Sequence, residues 1–322
     1  MGGLDLGCTK VLGVVLDPTG DGPPLAEVRL PTPRGEPAVV AVLTEVVERL
    51  RKALPDERRE RLCAIGVGAP GLVDRAGILR YGPNLPGVVD CDLATAVETT
   101  TGLATVVDND ASAAAWAEHE LGAGRGCDHL VLVTLGTGIG AGFVVEGEPM
   151  RGAHGFAGEP GHMVVQPDGP PCPCGRRGCW ERFASGSGLG RLAREAAHAG
   201  QADRVLELAD GDPEDVRGEH VTLGASEGDV QALGVLDRFG WWVALGVANL
   251  VNVLDAEKVV IGGGLAEAGD LVLAPTRAAF SQLVLAVDHR PPVPIVPAEL
   301  GERAGAIGAA LLAARRLNRG NG

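Results

Sequence analysis

Residues 3–16 read GLDLGCTKVLGVVL, two short apolar runs that meet at the turn Gly7-Cys8-Thr9-Lys10. Apolar runs on either side of a polar, glycine-containing turn favour a hairpin of two buried strands. The arrangement returns later in the chain, where an apolar run at 129–135, a glycine turn at 136–140 and an apolar run at 141–145 follow one another. Strand and helix patterns alternate after both hairpins. We therefore predict a duplicated α/β fold with a cleft between its two halves.

The segments between and after the hairpins have the periods of single helices and strands. Residues 37–54 carry apolar side chains at helical spacing and end before Pro55, whereas 63–68 is a strand-like apolar run. Further strands are expected at 104–107 and 258–261, and further helices at 93–101, 111–122, 188–199, 235–254 and 304–317. The acidic segment 202–229 is weakly patterned and supports no prediction.

Two domains are expected, each built on one hairpin. The smaller α/β domain spans 1–110 and is completed by a C-terminal helix at about 303–318. The larger α/β domain spans 111–302 and carries the second hairpin. With 322 residues, of which 45% are hydrophobic, the chain can bury a core in each domain.

Charge and hydropathy exclude several classes of function. The chain has 28 basic and 42 acidic residues, a net charge of −14, which repels a polyphosphate backbone and argues against nucleic-acid binding. There is no long uninterrupted apolar run and no secretory signal pattern at the beginning of the sequence, so we expect a cytoplasmic protein without membrane association. Four of the seven cysteines are scattered singly, as is typical of reduced thiols.

The other three cysteines belong to a metal-binding pattern. His162, Cys172, Cys174 and Cys179 are spaced as H-x9-C-x-C-x4-C and offer one imidazole and three thiols, the ligand set of a closed tetrahedral zinc site. One ion can hold them together only if the intervening chain folds into a tight knuckle. Four protein ligands leave no open position for a catalytic water, so the zinc is expected to be structural. The alternatives are a disulfide with a spare thiol, or three buried small side chains.

Three glycine-containing turns are candidates for binding phosphate groups or a nucleoside. The first offers backbone N–H groups, a hydroxyl, a cation and a carboxylate that can hold Mg²⁺; the second offers glycines and a hydroxyl; the third is a glycine run after a strand. Their candidate residues are Asp5, Gly7, Thr9 and Lys10 in the first, Gly136, Thr137 and Gly138 in the second, and Gly262, Gly263 and Gly264 in the third. Each could also be a simple hairpin or strand–helix turn without a ligand.

Asp110 is the candidate general base, because a kinase needs a carboxylate within hydrogen-bond reach of the attacking hydroxyl. It follows a predicted strand and opens a predicted helix, so it could instead be only a helix cap. Side chains in nearby glycine-rich motifs supply amides, carboxylates and an imidazole, which suit the many hydroxyls of a sugar. The predicted sugar ligands are Asn84, Asn109, Asp110, Glu159, His162 and Glu181.

Seven motifs together resemble the ROK sugar kinases (repressors, open reading frames, kinases) of the actin-like ATPase superfamily, and within them the bacterial glucokinases. The motifs are DLGCTK at 5–10, GVGAPGLVD at 66–74, PNLPG at 83–87, DNDASAAAWAE at 108–118, LGTGIGAG at 135–142, GEPGH at 158–162 and CPCGRRGCWE at 172–181. The resemblance implies the actin-like ATPase (ribonuclease H-like) fold with an inserted zinc knuckle. Cys8 departs from the family pattern, which usually has a second glycine there.

The resemblance also implies an activity. It is ATP-dependent phosphorylation of glucose at its 6-hydroxyl, with Asp110 as base, Mg²⁺ at the ATP phosphates and a homodimeric or homotetrameric assembly. Alternatives are a kinase for N-acetylglucosamine, N-acetylmannosamine, mannose or fructose, with polyphosphate an open alternative to ATP as donor. Repressors of the family place a DNA-binding domain before the sugar-binding fold, whereas here the first hairpin begins at residue 3. A non-catalytic sugar-sensing protein is the remaining alternative.

Overall fold

The computed structural model describes residues 1–17, 22–59 and 62–320. Its strands are β1 (Gly2–Leu6), β2 (Lys10–Val15), β3 (Ala26–Pro31), β4 (Ala64–Ala69), β5 (Leu72–Val73), β6 (Leu79–Tyr81), β7 (Val89–Cys91), β8 (Ala104–Asn109), β9 (Leu130–Leu135), β10 (Ile139–Val145), β11 (Glu148–Pro149), β12 (Lys258–Gly262) and β13 (Ile295–Pro297). Its helices are α1 (Glu36–Ala53), α2 (Asp56–Arg59), α3 (Leu93–Thr101), α4 (Asp110–Leu121), α5 (Glu181–Ala184), α6 (Gly186–His198), α7 (Asp203–Leu208), α8 (Gly218–Ser226), α9 (Val230–Leu254), α10 (Asp270–Leu283) and α11 (Ala304–Gly320). The helix and strand patterns of the sequence are thus largely confirmed, and 202–229 contains two short α-helices and a 3-10 turn at Pro213–Asp215.

The chain forms two compact units. The first comprises Met1–Asp128, Gly142–Gly158 and Glu299–Gly322, and the second comprises His129–Ala141 and Glu159–Ala298. The first unit therefore contains α4, which the sequence-based division at residue 110 leaves outside the smaller domain. The reason is packing, since α4 lies against α11 and β4.

A five-stranded sheet with the order β3-β2-β1-β4-β8 forms the centre of the first unit. The predicted hairpin is present: β1 and β2 are antiparallel, whereas β1, β4 and β8 run parallel. The register aligns Asp5 with Gly68 and Gly68 with Asp108, near the carboxyl ends of three neighbouring parallel strands. Polar side chains from distant parts of the sequence therefore meet at one edge of the sheet.

Helices cover both faces of this sheet. One face packs on α1, whose apolar side chains Val39, Leu43, Val46 and Leu50 are fully buried, as their helical spacing requires. The alanine-rich α11 covers the other face so closely that a Cβ at Gly66 would lie 1.8 Å from the carbonyl oxygen of Ala309. Only small residues allow this approach.

The second sheet has the order β11-β10-β9-β12-β13. In the second unit β9, β12 and β13 are parallel, and the pair Thr134 and Gly262 ends the register of β9 with β12. The helix α9 packs against α10, α8, α6 and α5. Within the residues that the structure describes, no helix has the length and apolar character needed to span a membrane.

Candidate active site and metal centre

The four predicted metal ligands come together in the second unit. The ligand atoms of His162, Cys172, Cys174 and Cys179 all lie within 4.8 Å of one another. Cys174 Sγ and Cys179 Sγ are 3.5 Å apart, and Cys172 Sγ is 3.8 Å from His162 Nδ1. Four ligands at tetrahedral zinc distances are separated by about 3.5–3.8 Å, so these donors fit one ion. All three thiols are free, which does not support the disulfide alternative.

Backbone hydrogen bonds close the knuckle around these ligands. Val165 N–H donates to Gly178 O over 2.9 Å, and Cys172 N–H donates to Arg176 O over 2.8 Å. Gly178 has φ 70°, and a Cβ there would lie 1.6 Å from the Gln166 carbonyl oxygen. Glycine is therefore required at 178, as the predicted tight turn demands.

Trp180, between the last cysteine and Glu181, anchors the knuckle. It is fully buried, and its indole N–H donates to the backbone oxygen of Trp242 on α9 over 2.7 Å. Gly246 on the same helix makes room for the ring, because a Cβ there would lie 2.0 Å from it. The knuckle is thus fastened to the longest helix of the described chain.

Both predicted sugar-binding glutamates lie beside the imidazole of His162. Glu181 Oε1 is 3.7 Å from Nδ1, and Glu159 Oε2 is 3.9 Å from Nε2. Cys172 Sγ donates to Glu181 Oε1 over 3.0 Å. Burial, and then this contact, raise the pKa of Cys172, so zinc binding would displace a proton from that thiol.

The second glycine turn adjoins Glu181. A Cβ at Gly138 would lie 2.8 Å from Glu181 Oε2, so a side chain at this position would require the carboxylate to move. Two contacts from the start of α6 hold the turn: Gly186 N–H donates to Gly136 O over 2.8 Å, and Ser187 Oγ donates to Thr137 O over 3.0 Å. Thr137 itself is exposed.

In the first unit, Asp110 is the first residue of α4, but it is not the cap. Asn109 is the N-cap: its Oδ1 accepts from Ser112 N–H over 2.9 Å, and its Nδ2 donates to Gly71 O over 3.2 Å. The Asp110 carboxylate accepts from Ala111 N–H over 2.8 Å. Burial raises the pKa of Asp110, while the N–H groups of Ala111 and of Asp110 itself oppose the rise.

Asp5, on β1, is electrostatically coupled to Asp110. Burial, and then the negative charge of Asp110, raise the pKa of Asp5 to about 7, and Lys10 opposes the shift. Gly305, near the start of α11, admits the Asp5 carboxylate, since a Cβ there would lie 2.8 Å from Asp5 Cγ. Two carboxylates that repel one another in a partly buried site can be relieved by a proton or a divalent cation. Asp5 therefore fits the predicted Mg²⁺ role chemically.

The remaining predicted ligands of the first unit lie in turns or, for Lys10, at the first position of the strand that follows the turn. Gly7 N–H donates to Lys10 O over 2.9 Å, which leaves Cys8 and Thr9 exposed at the tip. Lys10 is already paired, because its ammonium lies 2.6 Å from Glu302 Oε2. Asn84 is exposed.

The third glycine turn follows β12 in the second unit. Gly263 has φ 82°, and a Cβ there would lie 2.6 Å from the Leu135 carbonyl oxygen, so close packing on β9 alone requires this glycine. Gly264 is exposed and a Cβ there would meet no atom within 4 Å. A strand–helix turn without a ligand therefore explains the glycine at 263, whereas there is space for a ligand beside Gly264.

Three ion pairs near the site were not found from the sequence. Glu302 binds both Lys10 and Arg29, and Arg151 lies 2.9 Å from Asp108. The only sequence signal for any of these pairs is that Asp108 lies inside the DNDASAAAWAE motif.

The chain is similar to known proteins over nearly its whole length. The model of the ROK family matches residues 1–316. A glucokinase of Streptomyces coelicolor is 37% identical over 314 residues, which cover 97% of this chain and 96% of the relative. An N-acetylmannosamine kinase of Escherichia coli (strain SE11) is 32% identical over 313 residues, which cover 96% of this chain and 97% of the relative.

A solved structure extends the similarity to the fold. It is a ROK family glucokinase from Streptomyces griseus in complex with glucose and AMPPNP, which has a TM-score of 0.85 and 36% identity, over 98% of this chain and 99% of that chain. The predicted α/β architecture of the actin-like ATPases is therefore confirmed, and the Cys3His cluster is compatible with the predicted zinc knuckle. By its family match and by its relatives, the chain belongs to the ROK family.

Proposed function

We propose that this protein is a glucokinase, which transfers the terminal phosphoryl group of ATP to the 6-hydroxyl of glucose. The observation that carries the proposal is the position of the Asp110 carboxylate. Because Asn109 caps α4, the Asp110 carboxylate is released from the capping role and stands at the carboxyl edge of the parallel strands, close to Asp5. The glucokinase relative at 37% identity and the glucose and AMPPNP complex of the Streptomyces griseus glucokinase support the same reaction.

In this proposal Asp110 accepts the proton of the sugar 6-hydroxyl as the oxygen attacks the terminal phosphorus. A carboxylate whose pKa is raised is a stronger base at neutral pH while it stays ionised, so the burial of Asp110 assists the transfer. Asp5 would hold Mg²⁺, which supplies neutralisation of the phosphate charge. A cation at Asp5 would also favour the ionised form of that carboxyl.

The proposed glucose ligands are the six that the sequence predicts, Asn84, Asn109, Asp110, Glu159, His162 and Glu181. Part of the hydrogen-bonding capacity of Asn109 is already used, because its Oδ1 accepts from Ser112 N–H and its Nδ2 donates to Gly71 O. Glu159 and Glu181 flank His162, so a structural zinc bound by His162 and the three cysteines would hold that imidazole between the two carboxylates.

The proposed ATP ligands are the three glycine-containing turns. Glycine turns let the backbone approach phosphate groups closely, and the open space beside Gly264 suits the adenosine side. The residues are Gly7, Thr9, Lys10, Gly136, Thr137, Gly138, Gly262, Gly263 and Gly264. A homodimeric or homotetrameric assembly stays a prediction of the family resemblance.

A kinase for another hexose is the second candidate. It is favoured by the full-length similarity to an N-acetylmannosamine kinase at 32% identity. The hydroxyl-binding groups proposed here serve several sugars. The choice between them depends on relative rates rather than on the type of reaction.

The test is a comparison of sugars and of one matched pair of variants. Initial rates with ATP are measured for glucose, mannose, fructose, N-acetylglucosamine and N-acetylmannosamine, and we expect the highest kcat/KM for glucose. Asp110→Asn should lower kcat by about 10² or more while glucose binding, measured by calorimetry, is largely kept. Asp92→Asn is the control, because Asp92 also stands at a helix start, as the N-cap of α3, and asparagine can replace it there.

Three outcomes would contradict the proposal in different ways. If the wild-type protein phosphorylates no hexose with ATP, the proposed ATP-dependent activity is wrong. If another hexose has the highest kcat/KM, the reaction stands and glucose is replaced as its substrate. If Asp110→Asn retains normal turnover, the base is another residue.

A further inference from the structure

Arg151 makes a largely buried ion pair with the strand that ends at the proposed base. Its Nε lies 2.9 Å from Asp108 Oδ2, and the Asp108 and Arg151 side chains are 6% and 22% exposed. Nη2 of the same guanidinium donates to the Asp74 carbonyl oxygen over 3.4 Å. Arg151 follows β11, so the pair joins two segments of the first unit that are distant in sequence.

Asp108 also contacts the backbone of the proposed site directly. Its other oxygen, Oδ1, accepts from the backbone N–H of Asn109 over 2.9 Å. Asn109 in turn caps α4 and donates to Gly71 O, and Asp110 is the next residue. The path from the Arg151 guanidinium to the peptide that carries Asp110 is therefore one ion pair and one hydrogen bond.

The charge of Asp108 needs a partner in this environment. Burial raises the pKa of Asp108, and the positive charge of Arg151 opposes the rise. A buried carboxylate that loses its partner must take up a proton, admit water or move, and each response would disturb the end of β8.

Arg151 is not needed merely to fasten its own segment, because Arg75 does that independently. The Arg75 backbone N–H donates to His154 O over 3.2 Å, and its Nε donates to Gly152 O over 3.1 Å. Arg75 does not contact Asp108 among the described residues. The two arginines thus hold one segment, but only Arg151 compensates the carboxylate next to the site.

We propose that Arg151 is a positioning residue for phosphoryl transfer: through Asp108 it holds the Asn109–Asp110 peptide so that the Asp110 carboxylate meets the substrate hydroxyl. The inference rests on the proposed role of Asp110 as base. It assigns to Arg151 an effect on turnover rather than on ATP binding, since a general base acts in the chemical step.

The test is a double-mutant cycle with a control. Arg151→Gln should lower kcat by about 10-fold to 100-fold, the loss typical of a slightly misplaced reacting group, and leave the KM for ATP within about twofold. The double variant Asp108→Asn with Arg151→Gln should recover kcat to within about fivefold of wild type, because no unpaired charge remains. Arg151→Lys, which keeps the charge, should lie between wild type and Arg151→Gln. Arg75→Gln should stay within about twofold of wild type.

Two kinetic results would overturn the proposal. One is an equal loss in Arg75→Gln, which would make fastening of the segment the cause. The other is a double variant no faster than the product of the two single effects, which would show that Arg151 does not act through Asp108. If Arg151→Gln does not fold, the double variant carries the test alone, and a kcat more than about tenfold below wild type counts against the proposal.

Hydrogen–deuterium exchange separates this inference from the proposed function. Peptides covering 104–116 should exchange faster in Arg151→Gln than in wild type, and the double variant should restore protection. If the wild-type protein phosphorylates no hexose but exchange responds in this way, the positioning contact stands and the kinase proposal fails. Unchanged protection in Arg151→Gln refutes the positioning role whether or not the protein is a kinase.

Discussion

Replacement of Asp5 by asparagine should stabilise the protein by an amount that grows as the pH rises from about 4 to about 7. Asp5 is surrounded by β1, the start of α11 and the charge of Asp110, and burial followed by that charge raises its pKa from 3.8 to about 7. The ionised Asp5 carboxylate therefore lowers the stability of the folded chain. We attribute its presence to its proposed role in holding Mg²⁺. Asparagine has a similar shape and no charge, so it removes that cost.

The sign and size follow from the pKa. Below pH 3.8 the carboxyl of Asp5 is protonated in both the folded and the unfolded chain, and it costs nothing. As the pH rises from 3.8 to about 7, the unfolded chain loses this proton and the folded chain keeps it, so stability falls; above 7 the full cost remains. At roughly 1.4 kcal/mol per pKa unit, Asp5→Asn should raise the free energy of unfolding by less than about 1 kcal/mol at pH 4 and by about 4 kcal/mol at pH 8.

The assay is urea and thermal unfolding of wild type and Asp5→Asn at pH 4, 6 and 8, without nucleotide or divalent cation. For a unit of this size each kcal/mol is worth about 2–4 °C in Tm. In an Asp110→Asn background the gain should shrink, because one cause of the raised pKa is gone. A gain that is equal at pH 4 and pH 8 would refute the reasoning, since a purely steric effect of asparagine does not depend on pH.

Three further substitutions test the knuckle and the first turn. Cys174→Ser should reduce bound zinc, measured by atomic emission, at least tenfold and raise the KM for glucose; unchanged metal content would contradict the ligand assignment. Gly178→Ala should lower Tm by at least about 2 °C, because φ 70° and the Gln166 oxygen exclude a side chain; an unchanged Tm would mean that the turn can relax. Glu302→Gln should free Lys10 and lower the KM for ATP by up to about fivefold, the value of an exposed ion pair, and a higher KM would show that Lys10 does not bind ATP.

Interactions between close neighbours in the sequence were predicted well. The hairpin of β1 and β2 follows from two apolar runs around a glycine turn, and α1 follows from apolar side chains at helical spacing. The metal cluster follows from ligand chemistry, because one imidazole and three thiols within a short segment can converge once the chain turns at Gly175 and Gly178. In each case the physical cause acts over a few residues.

The arrangement around Asp110 shows where local reasoning ends. The sequence placed Asp110 at a helix start and left open whether it was only a cap. The structure assigns the cap to Asn109, because its Oδ1 reaches the Ser112 N–H group. Which of two adjacent polar residues caps the helix depends on the backbone angles at the end of β8.

The sequence by itself determined the strand and helix patterns, the glycine turns and the ligand set of the knuckle, because backbone preferences and metal chemistry act between near neighbours. Tertiary structure alone decided that Asp5 is coupled to Asp110, that Arg151 compensates Asp108, and that Lys10 is held by a glutamate 292 positions away. Charges and burial act through space, and no local pattern records which distant segments the parallel register of the sheet and the packing of α11 bring together.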